Sequence, residues 1–338
     1  MIVEEKTIYS SFVTKRKKPV NLFEDKIFLF KNEFTYPVPA TYFKRINKVD
    51  VLNDTVFDPS SFKFFAAETH INGVFTLKQK IIYLFCYSHP RRKLEKGVWI
   101  TQNWTWMYFH WITDALTRLI ACDQFIDDHM VVLPQSYKKY PFIRESLEYL
   151  GYKIHWVLLN ECLRINELIL PSHTASPGNF NDIILKKLRS KFCLSVTPPS
   201  KNIYISRAKA SQRFIDNEQE LINLLLDYNF EIHVFEEYSF LKQVELMNQT
   251  TLLIGLHGAG LANMLFMQNK AKVIEIRNQN DSKNNCYFSM ASALELSYYF
   301  VEGTGNGGNT SDAIVKVNIE SVNILFQQMG LKSESKRQ

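Results

Sequence analysis

The sequence predicts an α/β protein whose second half is built on a parallel sheet. Three observations carry that expectation. From residue 202 onward, short apolar runs alternate with amphipathic segments, the pattern of strands joined by crossover helices. The segment Ser195-Val-Thr-Pro-Pro-Ser200 interrupts the chain between two periodic stretches, as a linker does. The 338 residues suffice for two domains of ordinary size. The expected division is residues 1–197, residues 198–330 and a basic tail, 331–338.

Each element has its own signal. Residues 64–85 read as two strands around Asn72-Gly73, a favoured type I′ pair. A helix is predicted over 108–122, where Ile112, Ala115, Leu116, Leu119 and Ile120 keep the helical period. A short strand over 130–133 ends at Pro134, and a helix over 142–150 is stopped by Gly151. Strands follow over 154–159 and 167–170, then an amphipathic helix over 181–192. Beyond the linker, strands are predicted over 202–206, 231–235, 252–256, 273–276 and 298–301. Helices over 217–228, 240–248, 261–267 and 287–294 alternate with them, and Asn217 with Glu220 has the spacing of a capping box. Residues 303–308 read as a loop, and a closing helix over 319–329 is free to pack back across the domain junction.

Composition narrows the function. Hydrophobic residues make up 46%, so the chain is globular rather than disordered. The 25 Phe and 16 Tyr supply a core, with rings to spare for a sugar-binding cleft. The net charge of +6 is spread over clusters at 15–18, 91–93, 138–139 and 332–337. That balance suits a phosphate-bearing substrate or peripheral contact with an anionic membrane, and it is too scattered for nucleic acid. Five cysteines at wide spacing, with no C-x-x-C, point neither to zinc nor to a disulfide framework, and suggest a reducing compartment. The start of the chain lacks the apolar core of a signal peptide, and no stretch reaches the ~18 apolar residues of a membrane span. The expected location is cytoplasmic, or peripheral to a membrane.

The most informative stretch is 251–267. An apolar run stops at His257-Gly258-Ala259-Gly260, and a second apolar stretch follows. Glycines at that point let the backbone turn and present its N–H groups, which favours an anion such as phosphate. The order of Gly255, Gly258 and Gly260 is not G-x-G-x-x-G, which excludes the dinucleotide fingerprint. Ser206-Arg207 follows another predicted strand, so Arg207 and the glycine turn both stand at strand ends, where α/β sheets bind ligands. Together they form a plausible diphosphate cradle, and Arg213 adds charge. In the first half, His110 and Asp114 are four apart and share one helix face, with Asn103, Trp104, Trp106, Tyr108 and Trp111 around them. Such a pair can take a proton from a hydroxyl, or it can be a structural pair. No compact set of metal ligands accompanies it.

Together these motifs resemble glycosyltransferase family 61. The resemblance rests on Ile205-Ser206-Arg207, Asn217-Glu218, the run from Leu253 through His257-Gly258-Ala259-Gly260-Leu261-Ala262-Asn263, and Val273-Ile274-Glu275-Ile276. Upstream, Tyr108-Phe109-His110-Trp111-Ile112-Thr113-Asp114 and Leu116-Thr117-Arg118-Leu119 look like that family's helix motif. It covers about residues 100–302. It implies a GT-B-like architecture, two Rossmann-like domains facing a cleft, and an inverting transfer that needs no cofactor and no metal. The donor it implies is a nucleotide-diphospho sugar, a UDP-sugar by preference. The absence of a signal sequence points within the family to the bacterial surface-polysaccharide type. That type works on a lipid-linked or lipopolysaccharide acceptor at the inner face of the cytoplasmic membrane, in capsule or lipopolysaccharide assembly. Thr117, where many relatives carry proline, is a departure expected to affect helix geometry more than chemistry.

In that frame Arg207, Arg213 and the backbone of Gly258, Ala259 and Gly260 hold the leaving diphosphate, and His257 contacts it or the donor sugar. Asn263 braces the loop, and Glu275 accepts from ribose hydroxyls or forms a structural pair. Asp114 is the first choice of base, with His110 orienting or replacing it. The alternative is a non-catalytic sugar-nucleotide or polysaccharide-binding protein on the same fold.

Overall fold

The computed structural model describes residues 2–52, 54–70, 76, 77, 81, 91–159, 161–193, 197–210, 212–305 and 314–333. The chain forms two compact units, Met1–Val13 with Pro37–Pro177, and Thr14–Tyr36 with Gly178–Gln338. The division thus falls at Pro177 rather than at the proline pair 198–199. Packing explains the difference. The helix Asp182–Phe192 sets Phe192 edge-on to Phe240 and Phe266, with ring centroids 5.6 and 5.1 Å away, so it belongs to the second core. Asn181 caps that helix by accepting from the N–H groups of Ile183 and Ile184. Residues 14–36 also join the second unit, where Val20 N donates to Tyr298 O (2.9 Å) and Asn21 Nδ2 to Phe300 O (2.7 Å).

The first unit carries a mixed sheet. Its strands are β1 (Ile2–Tyr9), β4 (Thr41–Leu52), β5 (Thr55–Asp58), β6 (Lys63–Phe64), β7 (Arg91–Val98), β8 (Met130–Pro134), β9 (Ile154–Val157) and β10 (Cys162–Pro171); β2 (Phe12–Lys15) and β3 (Thr35–Val38) form a separate ribbon. The order is β6-β5-β4-β10-β7-β8-β9, with β1 also paired to β4. Only β10, β7, β8 and β9 are parallel; β1, β5 and β10 all run antiparallel to β4. This half is therefore less Rossmann-like than expected. The hairpin expected over 64–85 is replaced at its start by a helical turn, Ala66–Thr69, and its Asn72-Gly73 turn lies outside the described residues. Strand β7 had no sequence signal, since Arg91-Arg92-Lys93-Leu94-Glu95-Lys96-Gly97 shows no run of β-formers. It is held as a strand by β10 and β8 on either side. A Cβ on Gly97 would stand 2.9 Å from Val132 of β8, so this glycine permits close packing.

The second unit is a seven-stranded sheet in the order β12-β17-β16-β15-β14-β11-β13. Its strands are β11 (Lys201–Ile205), β12 (Phe214–Ile215), β13 (Phe230–His233), β14 (Thr250–Leu256), β15 (Lys272–Asn278), β16 (Ser297–Gly305) and β17 (Ile314–Val317). All pairs are parallel except β16 with β17. The expected parallel sheet and its order of elements are present.

Three details differ from expectation. Gly303 to Gly305 extend β16 instead of forming a loop; a side chain at Gly303 would run into Val315 and the Lys316 carbonyl of β17. Residues 306–308 of that expected loop lie outside the described residues. Asn217 precedes the helix Glu218–Asp227 without capping it. Its amide exchanges hydrogen bonds with the backbone of Val317 (both 2.9 Å), so tertiary pairing outcompetes the local cap. The closing helix Ile319–Gln328 buries Val322, Leu325 and Phe326 in the second unit's own core rather than across a junction. Phe326 stacks on Phe230 (5.4 Å, 16°) and meets Tyr228 edge-on. Among the described residues no helix is long and apolar enough to cross a membrane.

Candidate functional site

In the second unit the chain leaves β11, adds the short β12 at the far edge of the sheet, makes β13 on one side of β11, then β14 on the other. The carboxyl ends of β11 and β14 therefore flank a topological switch point, the place where open α/β sheets bind ligands. Ser206-Arg207 leaves one strand there, and His257-Gly258 leaves the other. The side chain of Arg207 is fixed from behind. Its Nε donates to Arg213 O (2.9 Å) and its Nη2 to Gln212 O (2.6 Å). Its Nη1 lies against the glycine turn, so closely that a Cβ on Gly258 would stand 2.5 Å away. Gly258 has extended backbone (φ 164, ψ 170), so the glycine is required for this approach and not for an unusual conformation. Gly260 is tight against Ile205, at 3.1 Å from an added Cβ.

Residues Ala259–Phe266 form a 3₁₀ helix, whose first N–H groups have no partner within the helix. Asn263 is buried and its amide donates to Gly260 O (3.0 Å), bracing the turn. Arg213 sits at positive φ (65°), and its Nε is buried with no hydrogen-bond partner among the described residues. Burial first, and then the Arg213 cation, push the Arg207 pKa below the ordinary arginine value, which still leaves it charged. Among the described residues neither arginine has a carboxylate within ion-pair distance. Two half-buried guanidiniums beside a helix start make an electrostatic vacancy for an anion.

His257 is buried beside that turn. Its Nδ1 meets Glu275 Oε1, and because a carboxylate only accepts, Nδ1 carries the proton. The other oxygen of Glu275 accepts from the Tyr298 hydroxyl, and Tyr287 lies edge-on to the imidazole at 4.9 Å. Burial would raise the Glu275 pKa, but His257, Arg277 and Tyr298 outweigh it and hold the carboxylate below its usual range. With no exposed surface, Glu275 cannot reach a ribose; it orients His257 from beneath.

The first unit has a switch point of its own. From β7 the chain makes β8 and β9 on one side, then returns to the other side of β7 as β10. Between β7 and β8 runs a helix with a π-turn at Trp111–Ala115, flanked by α-helical Tyr108–His110 and Leu116–Ala121. Thr117 borders that turn and its hydroxyl donates to Thr113 O (2.6 Å). His110 Nδ1 donates to Asp114 Oδ2 (2.7 Å). The same oxygen accepts from Gln102 Nε2 (3.1 Å), and Oδ1 accepts from Thr113 Oγ1 (2.9 Å). With both oxygens of Asp114 engaged, its Nδ1 contact leaves His110 Nε2 as the atom placed to take a proton. Of the two expected arrangements, the one in which His110 replaces Asp114 as proton acceptor and Asp114 orients it fits this hydrogen bonding better.

Two residues of this site, Gln102 and His173, carried no local signal, and Arg118 was legible only as part of the helix motif. Gln102 and His173 follow β7 and β10, and with Asp114 they line a cavity of about 240 Å³. Gln102 Oε1 is buried without a hydrogen-bond partner among the described residues, an acceptor awaiting a donor. Burial, followed by the nearby Arg118 cation, drives the His173 pKa down to about 4, so its imidazole is neutral at pH 7. Arg118, fully buried, ties the two strand ends together by donating to Ile100 O (2.9 Å) and Pro171 O (2.5 Å). Burial lowers its pKa to about 10, still well above neutrality. Of the aromatic residues singled out by sequence, Trp111 proves to be core, with its indole N–H on Ser146 Oγ (2.8 Å); Trp104 and Trp106 stay about two-fifths exposed.

Residues 108–274 match the family model described as Glycosyltransferase 61, a span that begins two residues before His110 and contains the Arg207 turn. The chain belongs to glycosyltransferase family 61. It is also similar to the EGF domain-specific O-linked N-acetylglucosamine transferases of Drosophila melanogaster (33% identity over 125 residues) and Mus musculus (36% over 91 residues). These alignments cover 35% and 25% of the chain, and only 23% and 17% of the two relatives.

Proposed function

We propose that this family 61 chain transfers a sugar from a nucleotide-diphospho donor to a hydroxyl of a saccharide acceptor, with inversion and without a bound metal. The observation that carries the reading is the Arg207 guanidinium lying against the Gly258 turn at a switch point, with the Arg213 cation near enough to depress its pKa and no direct ion pair to either among the described residues. Fixed cations and helix-start amides stabilise the charge that grows on a departing diphosphate. In the reaction the acceptor oxygen bonds to the anomeric carbon, and the carbon–oxygen bond to the diphosphate breaks with its electron pair. The acceptor proton passes to His110 Nε2, and Asp114 steadies the imidazolium that forms. The small cavity lined by Gln102, Asp114 and the neutral His173 carries polar groups without a net positive charge, which suits an uncharged sugar better than a phosphate.

The N-acetylglucosamine in the relatives' name makes UDP-N-acetylglucosamine the first donor to test. Those relatives are animal proteins, so a lipid-linked or lipopolysaccharide acceptor at a membrane is a narrower reading than they support. The test is a thermal-shift screen against nucleotide-sugars and nucleoside diphosphates with and without EDTA. A ligand bound at 100 times its Kd stabilises the native state by about 2.7 kcal/mol. The expected result is a shift by a UDP-sugar that survives EDTA and is lost in Arg207→Ala. No shift by any nucleotide would refute the reading.

A further inference from the structure

A second and larger concavity opens at the same end of the first sheet as the His110–Asp114 pair. It encloses about 870 Å³ beyond the carboxyl ends of β8 and β9, against Pro134 and Val157. Its walls include Asn103, Trp106, Gln135 and the two lysines 138 and 139. Trp106 is 41% exposed, and Tyr140 backs it in a near-parallel stack (5.7 Å, 22°), itself supported by Phe142 at 5.9 Å. Such a stack holds an indole face toward solvent at little entropic cost, because its rotamer is already fixed. The ammonium of Lys138 rests over Trp156 (5.5 Å) and that of Lys139 over Tyr140 (5.0 Å), which places hydrogen-bond donors along the rim. An aromatic platform with amides and ammoniums around it matches the amphipathic faces of a sugar chain, C–H surface below and hydroxyls at the edges.

One short stretch of chain joins this groove to the reacting pair. Gln102 lines the small cavity and bonds Asp114, Asn103 lines the groove, Trp104 lies 5.5 Å from the His110 ring, and Trp106 forms the platform. We propose that the groove binds the acceptor as an oligosaccharide, seating the sugar residues beyond the one that reacts. This rests on the glycosyl-transfer reading and adds to it an acceptor of at least two linked sugars.

The test is calorimetric titration of the full chain, wild type, Trp106→Ala and Tyr140→Ala. The titrants are chitotetraose, xylotetraose and mannotetraose, each beside its monosaccharide, with UDP titrated separately. At least one tetrasaccharide should bind the wild type, with its monosaccharide at least roughly tenfold weaker. Loss of one stacking contact should weaken that tetrasaccharide roughly tenfold in either variant and leave UDP affinity unchanged. Wild-type affinity in Trp106→Ala, or no tetrasaccharide binding to a wild type that binds UDP, overturns the proposal. A wild type that binds a tetrasaccharide and no nucleotide keeps the groove and sinks the transferase reading instead.

Discussion

The two switch points solve opposite electrostatic problems. That of the second unit gathers Arg207, Arg213 and a helix start around Gly258, with no direct ion pair to either arginine among the described residues. That of the first unit also holds a cation, Arg118, but seals it among backbone carbonyls beneath the cavity. What it shows to a ligand is a carboxylate, an amide oxygen and a neutral imidazole. In the proposed reaction one site holds an anion and the other takes a proton from a hydroxyl. The two sheets differ in topology but share a switch point between parallel strands; the side chains at the strand ends set the chemistry.

The contrast is broken most directly at the proton-accepting end. His110→Ala should lower turnover by roughly 10²–10⁴-fold while nucleoside-diphosphate affinity stays at the wild-type value. Asp114→Asn should follow it, since an amide no longer steadies the charged imidazole. Either variant folding and transferring sugar at the wild-type rate would remove the pair from the mechanism. At the anion end, Arg207→Ala should weaken nucleoside-diphosphate binding about 10- to 100-fold, the range of a lost charge-assisted contact, measured by calorimetry. Gly258→Ala tests the same contact without touching the charge. Its methyl displaces Nη1, so a smaller loss of about tenfold is expected, and unchanged affinity would separate the turn from the arginine.

Two pH effects sharpen the comparison through stability. In the first unit His173 titrates near 4 when folded and near 6.5 when unfolded, so the unfolded chain binds the extra proton between those values. The native state should lose stability as pH falls from 6.5 toward 4, by at most about 3 kcal/mol from this group. His173→Asn should flatten that slope in denaturant titrations at pH 7 and pH 5; an unaltered slope would show the imidazole is not held neutral. In the second unit the sign is the same, because a depressed folded pKa again leaves the extra proton to the unfolded chain, and only the window differs. Glu275 has a depressed folded pKa, so its contribution is present above its unfolded value of about 4.5 and is lost as pH falls below it. Glu275→Gln should remove that acid-side dependence, read from the same titrations carried below pH 4.5.

Local signals carried the second unit far. The helix Phe240–Asn248 lies where the period places it, and strands β11, β14 and β15 agree with their apolar runs within a few residues. Such runs are buried on both faces and bounded by turn residues, so nearest neighbours suffice to define them. The first unit was harder to read. Strand β7 is polar and exists because β10 and β8 hydrogen-bond it, and β4 is a long strand paired antiparallel to β1, β5 and β10 in a mixed sheet. Likewise the Asn217 amide serves Val317, a hundred residues away, rather than its own helix.

By itself the sequence determined which residue types could do chemistry: the glycine turn with its histidine, the arginine after a strand, and the His–Asp pair one helical turn apart. Those depend on spacing within a few residues, where backbone geometry leaves little freedom. Only the tertiary structure decided which strand ends became neighbours, and so which groups share a site. It brought Arg207 to within a methyl's width of Gly258, buried Glu275 beneath His257, and set Gln102 and His173 around Asp114 from strands joined by long crossovers. Burial and long-range pairing govern those placements, and neither is encoded in any one stretch of chain.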